Sequence, residues 1–308
     1  MRARTTPLAA ALLAVALALV VVAPAGASFP GRNGLIAVAA DSDSVSDTIY
    51  VGRVAGHGLR ALPSPCPPGP ADPPWDTCFV DAPAWSPDGA RIAFSVIRGT
   101  SPQLWIVNAD GSDLHRVPGA SGFRPAWSPD GQRLAFSVDA RDEQDCPFRD
   151  LYTVNADGSG LTLLTSHADN ADWSVRGEIA FERERAYWTS GDGAECALRA
   201  SVFVMRQGGE PRRVAVNSGS PSWAPGGRTI AYVSSGGIRR KRVGADGAGR
   251  LLRKHGSYEL AWSPDGRFIL FRRSNRLRMM DARTGKRRPI TFDAPGIDFS
   301  AAWQPLSR

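Results

Sequence analysis

Carboxylate, guanidinium and amide side chains recur three or four residues before a tryptophan that repeats along the chain. Asp81, Asp169 and Glu259 are the carboxylates of this set, and Arg124 and Asn170 occupy equivalent positions. Two neighbouring carboxylates can share general acid and base roles, so one chemistry open to this set is hydrolysis or elimination on a glycan or peptide. A mixture of charges and amides is equally suited to binding a polar ligand or a peptide segment. The choice depends on whether the fold brings these side chains together.

Linear motifs for catalysis or metal binding are absent from the sequence. It has no GxSxG nucleophile elbow and no SxxK pair, and its four histidines have no metal-ligand spacing. Asp41, Asp43 and Asp47 form a small acidic loop that loosely suggests calcium, but the EF-hand pattern and its terminal glutamate are missing. We therefore expect no catalytic residue, no metal and no cofactor, although a site assembled from distant residues needs no linear motif.

The first 27 residues read as a secretory signal peptide. Arg2 and Arg4 precede an uninterrupted apolar run over residues 8–23, and Ala25-Gly26-Ala27 offers a small-x-small cleavage site. An uncleaved anchor is the alternative, although the run is shorter than the roughly 20 residues of a spanning helix. We expect a protein that is secreted or extracytoplasmic, in the periplasm or cell envelope.

Four cysteines follow this segment: Cys66, Cys78, Cys146 and Cys196. An even number of cysteines in an exported protein suggests disulfides, and four cysteines allow three pairings. We favour Cys66–Cys78 and Cys146–Cys196, with free buried thiols as the alternative.

A repeated unit organises the rest of the chain. Ala84-Trp85-Ser86-Pro87-Asp88-Gly89 returns twice with all six residues intact, at residues 126–131 and 261–266, and three degenerate copies surround Trp173, Trp223 and Trp303. The tryptophan spacings are 42, 46, 50, 39 and 41 residues. Each copy continues into a tight turn and short apolar strands. A period of 40–50 residues with strand-like content is typical of a β-propeller.

The number of strands indicates six blades and the way in which the ring closes. Six second strands and six third strands are present, but the N-terminal unit lacks a tryptophan strand and the C-terminus has a spare one. We therefore predict an all-β, six-bladed β-propeller in which Phe299–Trp303 supplies the innermost strand of the first blade, since a closed ring leaves no sheet edge exposed. Residues 28–308 are expected to form this single domain.

Propeller geometry predicts where the polar residues lie. Residues three or four before each tryptophan should surround one mouth of the central channel, and Tyr258 joins the five residues named above in this set. The longest insertions and all four cysteines fall in loops of the same face, which is a common design for recognition. A ring of solvated residues around a wet channel is the alternative.

These repeats resemble the TolB-type β-propeller family, whose WD40-like unit reads roughly pAWSPDGxxIAF…IYVMNADG. The resemblance covers nearly the whole chain after the signal segment, and it implies the propeller fold with a binding or scaffold role. TolB itself carries an α/β domain before its propeller, whereas here the repeats begin at Asn33-Gly34-Leu35. Similar propellers also occur as non-catalytic domains of peptidases.

Positive charge is concentrated in the last two blades. Residues 228–308 carry 18 Lys and Arg against 6 Asp and Glu. Arg239, Arg240, Arg242 and Arg278 lie on the third strands there, and they predict a basic surface for an anionic envelope polymer, a phospholipid surface or an acidic protein. A merely solvated face is the alternative. Membrane contact should be peripheral at most, and an exported protein is not expected to bind nucleic acid.

The sequence thus favours a secreted, monomeric, non-enzymatic propeller that binds a protein or cell-envelope polymer. An extracellular lyase or hydrolase with Asp81, Asp169 and Glu259 at the channel mouth is the alternative. A small-ligand or ion sensor at the same mouth is a third possibility.

Overall fold

A computed structural model describes most of the chain after the predicted signal segment. The described residues are 29–42, 45–54, 58–66, 78–141, 147–188, 196–254, 258–274, 276–290 and 297–307. The predicted signal peptide and the acidic residue Asp43 lie outside them. All regular structure in these ranges is β-strand, and none of it is a helix long and apolar enough to cross a membrane.

Twenty-four strands follow one another along the described residues. In chain order they are β1 (Arg32–Ser42), β2 (Val45–Gly52), β3 (Arg60–Ala61), β4 (Cys78–Trp85), β5 (Arg91–Arg98), β6 (Ser101–Asn108), β7 (His115–Arg116), β8 (Phe123–Trp127), β9 (Arg133–Arg141), β10 (Pro147–Asn155), β11 (Thr162–Thr165), β12 (Ala168–Trp173), β13 (Glu178–Trp188), β14 (Cys196–Arg206), β15 (Arg212–Ala215), β16 (Ser218–Trp223), β17 (Thr229–Ser234), β18 (Gly237–Arg242), β19 (Arg250–Lys254), β20 (Tyr258–Trp262), β21 (Phe268–Arg273), β22 (Arg276–Asp281), β23 (Arg287–Arg288) and β24 (Ile297–Leu306).

These strands form six four-stranded sheets, which are the blades of a β-propeller. Blade 1 has the order β24-β1-β2-β3, and blades 2 to 6 each use four consecutive strands beginning with β4, β8, β12, β16 and β20. In blade 1, Trp303 pairs with Ile36 and Ala302 pairs with Ala37. The C-terminal strand therefore closes the first blade, which confirms the predicted six-bladed fold and its ring closure.

The repeated tryptophans form the inner core between blades. All six are buried: Trp85, Trp127, Trp173, Trp223, Trp262 and Trp303. Trp127 of blade 3, for example, belongs to the same hydrophobic cluster as Leu104 and Ile106 of blade 2. Large aromatic side chains bury a large apolar area per residue, so these six contribute substantially to the packing of one blade on the next.

The turn after each intact tryptophan motif is stabilised by its own side chains. Ser86 Oγ donates to Asp88 Oδ1 at 2.5 Å and accepts from Arg91 N at 2.9 Å. Asp88 Oδ1 also accepts from Ala90 N at 3.0 Å, and Gly89 has a φ of 69°, which favours glycine. The same bonds recur in the turns of blades 3 and 6. The aspartates of this motif therefore serve the turn rather than a ligand.

One predicted disulfide is present and the other pair is not described. Cys66 and Cys78 are bonded, with their Cα atoms 5.5 Å apart, and they join the end of blade 1 to the first strand of blade 2. This confirms the first pairing. Cys146 lies outside the described residues, and so does the side chain of Cys196, so the second pairing stays a prediction.

Candidate binding site at the channel mouth

A strained backbone position repeats in the innermost strands. Pairing with the second strand shifts by a bulge shortly before the tryptophan. The residue three before the tryptophan then has a positive φ between 46° and 55° in blades 2 to 6: Ala82, Arg124, Asn170, Ser220 and Glu259. None is glycine, so each costs about 1–2 kcal/mol. Strain of this kind tends to occur at functional sites, where the surrounding structure imposes it.

The strained residues surround one central cavity. It has a volume of about 210 Å³ and is lined by all five of them together with Ser300 of blade 1. Above it lies a wider cavity of about 580 Å³, which Glu182, Arg199 and Arg272 also line. The residues three before each tryptophan thus line these cavities, and their role in binding a ligand stays a prediction.

The buried carboxylate of Asp169 contacts several residues in and around this ring. One carboxylate oxygen, Oδ2, accepts from Arg124 Nη1 at 2.7 Å and from Arg149 Nη1 at 2.8 Å. The other, Oδ1, accepts from Ser137 Oγ at 2.6 Å and from Asn170 N at 2.7 Å. Its side chain is only 5% exposed. Burial alone would raise the pKa of Asp169, but Arg124 and Arg149 bring it below its ordinary value.

Hydrogen bonds between neighbouring blades fix the rest of the ring. Ser300 Oγ of blade 1 donates to Asp81 Oδ1 of blade 2 at 2.7 Å and accepts from Ala82 N at 2.8 Å. Ser95 Oγ of blade 2 accepts from Arg124 N of blade 3 at 2.9 Å. The positions of the mouth residues are therefore set before any ligand arrives, which lowers the entropic cost of binding.

Glu182 and Glu259 are the acids of the wider cavity. Glu182 Oε1 accepts from Ser220 N at 2.6 Å and from Asn170 Nδ2, yet burial raises the pKa of Glu182 to about 6. Glu259 Oε1 lies 3.6 Å from Arg272 Nη1, whereas its buried Oε2 has no hydrogen-bond partner among the described residues. Burial, with the nearby Asp81 carboxylate, raises the pKa of Glu259 to about 7.

A further buried acid, Asp172, lines the narrower cavity. It stands directly before Trp173, where four of the other blades have alanine and blade 5 has serine. Its Oδ2 accepts from Trp223 N of the next blade at 2.6 Å. Burial raises the pKa of Asp172 to about 7.

These three acids predict a pH-dependent stability. Their pKa values in the folded protein, about 6 to 7, exceed those of free carboxyls, so the folded state retains protons that the unfolded chain releases. The free energy of unfolding should therefore fall as the pH rises from about 5 to about 8, by roughly 2 kcal/mol per group. Denaturant titrations across this range measure it. Asp172→Asn should flatten the dependence, whereas Asn at the exposed Asp246 should not. A flat profile for the wild type would contradict the assignment.

Several predicted mouth residues therefore have distinct roles. Arg124, Asn170 and Glu259 line the cavity. Asp169 does not line it and is held by two arginines instead. The side chain of Tyr258 lies outside the described residues. Asp172, Glu182 and Arg149 were missed, although Asp172 replaces a small residue of the repeat and was detectable on that ground.

The carboxyl groups at the channel mouth differ in their suitability for catalysis and metal binding. The ion-paired Asp169 is unsuited to donate a proton, because its pKa is lowered. Of the described carboxyls at the mouth, Asp172, Glu182 and Glu259 have pKa values suited to acid–base exchange near neutral pH. Within the described ranges, no group of three or more His, Cys, Asp and Glu side chains could hold a metal ion.

The predicted basic surface divides between two grooves. On β18, Arg239 Nη1 donates to Gly249 O within blade 5, and Arg239 lines the groove towards blade 4. Arg240 Nη1 donates to Ala282 O of blade 6 at 3.1 Å. Arg242 is exposed at the end of β18. Arg278 of β22 lines a separate cavity between blades 5 and 6.

Comparison with known proteins identifies the family. A family model described as the TolB beta-propeller domain matches residues 77–255. The chain therefore belongs to the TolB β-propeller family. No curated protein sequence matches it significantly.

Solved structures show the same fold at low identity. TolB from Acinetobacter baumannii aligns over 88% of this chain and 67% of its own, with a TM-score of 0.67 and 17% identity. A chain of the nidogen–laminin complex aligns over 89% and 99%, with a TM-score of 0.60 and 11% identity. Hydrazine synthase of Kuenenia stuttgartiensis aligns over 91% of this chain but only 48% of its own, with a TM-score of 0.67 and 15% identity. At such identities the likeness concerns the fold alone.

Proposed function

We propose that this protein is an exported, non-enzymatic propeller whose channel mouth binds a segment of a protein partner. The observation that carries the proposal is the polar ring at the mouth. Five non-glycine residues have strained backbones there, and cross-blade hydrogen bonds keep them in place. A ring of polar residues that is held in place before a ligand arrives suits recognition.

The chemistry of the ring fits a peptide segment. Arg124, a third of whose side chain is exposed, offers guanidinium donors, while Glu259 adds a carboxyl group to the cavity lining. Asn170, Ser220 and Ser300 add amide and hydroxyl groups that both donate and accept. Backbone amides and carbonyls of a peptide require this mixture of partners. The nidogen–laminin complex shows that a propeller of this fold can take part in a protein complex.

The proposal includes export from the cytoplasm, which the disulfide of the chain supports. Disulfides such as Cys66–Cys78 form and persist mainly in oxidising compartments, which agrees with the signal peptide predicted for residues 1–27. We propose that residues 28–308 act as a monomer outside the cytoplasm.

An enzymatic function is the second candidate, and one observation favours it. Glu182 and Glu259 line the same cavity of about 580 Å³, and both have pKa values near neutrality. Hydrazine synthase contains this fold within a much longer chain. If turnover of an extracellular glycan or peptide is detected, Glu182→Gln and Glu259→Gln should each abolish it. Retained turnover in both variants would exclude this site as its source.

The binding proposal is tested by capture from the envelope and medium extract of the producing organism. The full-length protein, exported into an oxidising compartment and purified, is the bait. The double variant Arg124→Ala and Glu259→Ala removes two mouth groups, and its matched control carries Arg283→Ala and Glu210→Ala at exposed hairpin positions. A protein captured by the wild type and the control but reduced about tenfold or more with the mouth variant would support the proposal. Equal capture by all three baits would overturn it.

A further inference from the structure

A further cavity with unusual chemistry lies between blades 5 and 6. Its volume is about 260 Å³, and six residues line it: Arg253, Phe271, Arg273, Ser274, Arg278 and Arg287. We call these six residues the arginine pocket. Four guanidinium groups, one hydroxyl and one aromatic ring surround this space, and none of the described lining residues carries a negative charge.

Strand register explains why the arginines converge. The third-strand residue opposite a second-strand aromatic is Trp105 in blade 2, Tyr152 in blade 3 and Phe203 in blade 4. In blade 6 this position is Arg278, opposite Phe271. The guanidinium carbon of Arg253, from blade 5, lies 5.7 Å from the centroid of the Phe271 ring, within the range of a cation–π contact.

Close backbone packing keeps the two walls of the pocket together. Gly285, with a φ of 74°, lies in the hairpin between β22 and β23, and a Cβ atom there would be only 1.9 Å from Leu252 O of β19. No other residue fits that approach. The hairpin that leads into Arg287 is therefore pressed against the strand that carries Arg253, and the pocket is not a chance meeting of long surface side chains.

Three of the four arginines of the pocket have no carboxylate partner within the described part of the chain. No described carboxylate forms an ion pair with Arg253, Arg273 or Arg287, although Arg272 and Arg288 of the same blade pair with Glu259 and Asp281. The Nε–H of Arg253 is also buried and has no acceptor among the described residues. A buried donor without a partner is unfavourable, and an anionic oxygen would satisfy it.

We propose that the arginine pocket binds a phosphate group. Guanidinium forks donate paired hydrogen bonds to phosphate oxygens, and the Ser274 hydroxyl adds a further donor. A phosphate monoester or diphosphate carries about two or more negative charges, which matches the three arginines without a described carboxylate partner better than the single charge of a carboxylate does. The inference is independent of the partner proposed for the channel mouth, because the two sets of lining residues share no member.

Calorimetric titration of the full-length protein with sodium diphosphate tests this site, with sodium chloride at equal ionic strength as the reference. The variant Arg273→Gln with Arg287→Gln removes two of the four guanidinium groups of the pocket. Its matched control, Arg242→Gln with Arg283→Gln, removes the same charge at exposed positions outside it. We expect saturable one-to-one binding that weakens about tenfold or more in the pocket variant and less than about twofold in the control.

Two outcomes would overturn the proposal: no saturable binding of diphosphate up to about 10 mM, or equal weakening in both variants. Thermal unfolding checks that the variants fold. If the double variant does not fold, the single variant Arg287→Gln, at an exposed strand position, replaces it in the titration. Vesicles of phosphatidic acid, with phosphatidylcholine as reference, identify the source of the phosphate. Binding that free diphosphate displaces would assign a lipid head group, whereas diphosphate binding without vesicle binding would assign a soluble phosphate compound.

Discussion

Removal of residues 297–308 is expected to abolish cooperative folding of the whole propeller. These residues contain β24, which is the innermost strand of blade 1. Trp303 belongs to a hydrophobic cluster with Leu270 and Met279 of blade 6, and Gln304 Nε2 donates to Gly89 O of blade 2 at 2.8 Å. The strand therefore joins three blades. Loss of a buried tryptophan alone costs about 3–5 kcal/mol, and the total stability of a domain is only about 5–15 kcal/mol.

Circular dichroism and calorimetry of the truncated chain measure this effect. Truncation of Ser307 and Arg308 alone is the control, because β24 ends at Leu306, and it should leave the melting temperature unchanged. A chain that lacks β24 but melts cooperatively at the wild-type temperature would show that the ring does not depend on this closure.

Asp169→Ala is expected to have the largest effect of any single substitution at the channel mouth. It would leave Arg124 and Arg149 without the carboxylate that both contact within 2.8 Å, and Ser137 and Asn170 would lose an acceptor. Breaking a buried ion pair costs about 3–5 kcal/mol. The two arginines are each about one third exposed, so we expect about 2–4 kcal/mol. Partner binding should weaken as well, because Arg124 loses its fixed position.

The matched control is Asp139→Ala, which removes a carboxylate from the same Arg149. Asp139 Oδ1 lies 2.9 Å from Arg149 Nε, but its side chain is 66% exposed. Exposed ion pairs contribute about 1 kcal/mol or less. Urea titrations of both variants compare the two free energies of unfolding. Equal losses for Asp169→Ala and Asp139→Ala would contradict the anchoring role of Asp169.

The ring and its closure were predictable because a repeat places equivalent residues at equivalent points. The spacing of the tryptophans indicated the blades, and the spare Trp303 indicated how the first blade is completed. The same logic located Arg124, Asn170 and Glu259 at the mouth. This inference requires only that each blade has the same backbone conformation as the blade that precedes it.

The roles of individual mouth residues were less predictable, because they depend on contacts that differ between blades. Asp169 forms an ion pair with Arg149, which comes from the third strand of the preceding blade and has no fixed offset in the repeat. Glu182 stands on the second strand where blades 2 and 3 have Ser95 and Ser137. A comparison along the second strands, rather than only before each tryptophan, would have revealed this departure.

The division of the basic residues follows from strand alternation. Successive side chains of β18 point to opposite faces of the sheet, so Arg239 and Arg240 reach different neighbours. This alternation was readable from the sequence. The convergence of Arg253, Arg273 and Arg287 with Arg278 was not readable, because it combines strands of two blades.

Site-specific photo-crosslinking in the producing organism tests the binding function most directly. A photoreactive residue at Arg199, on the exposed rim of the wider cavity, is compared with one at the exposed hairpin residue Ala245. We predict that Arg199 crosslinks to one exported protein and that Ala245 does not. The crosslink should also disappear in the Arg124→Ala and Glu259→Ala background. Crosslinking from both positions alike, or from Ala245 alone, would contradict a partner site at the channel mouth.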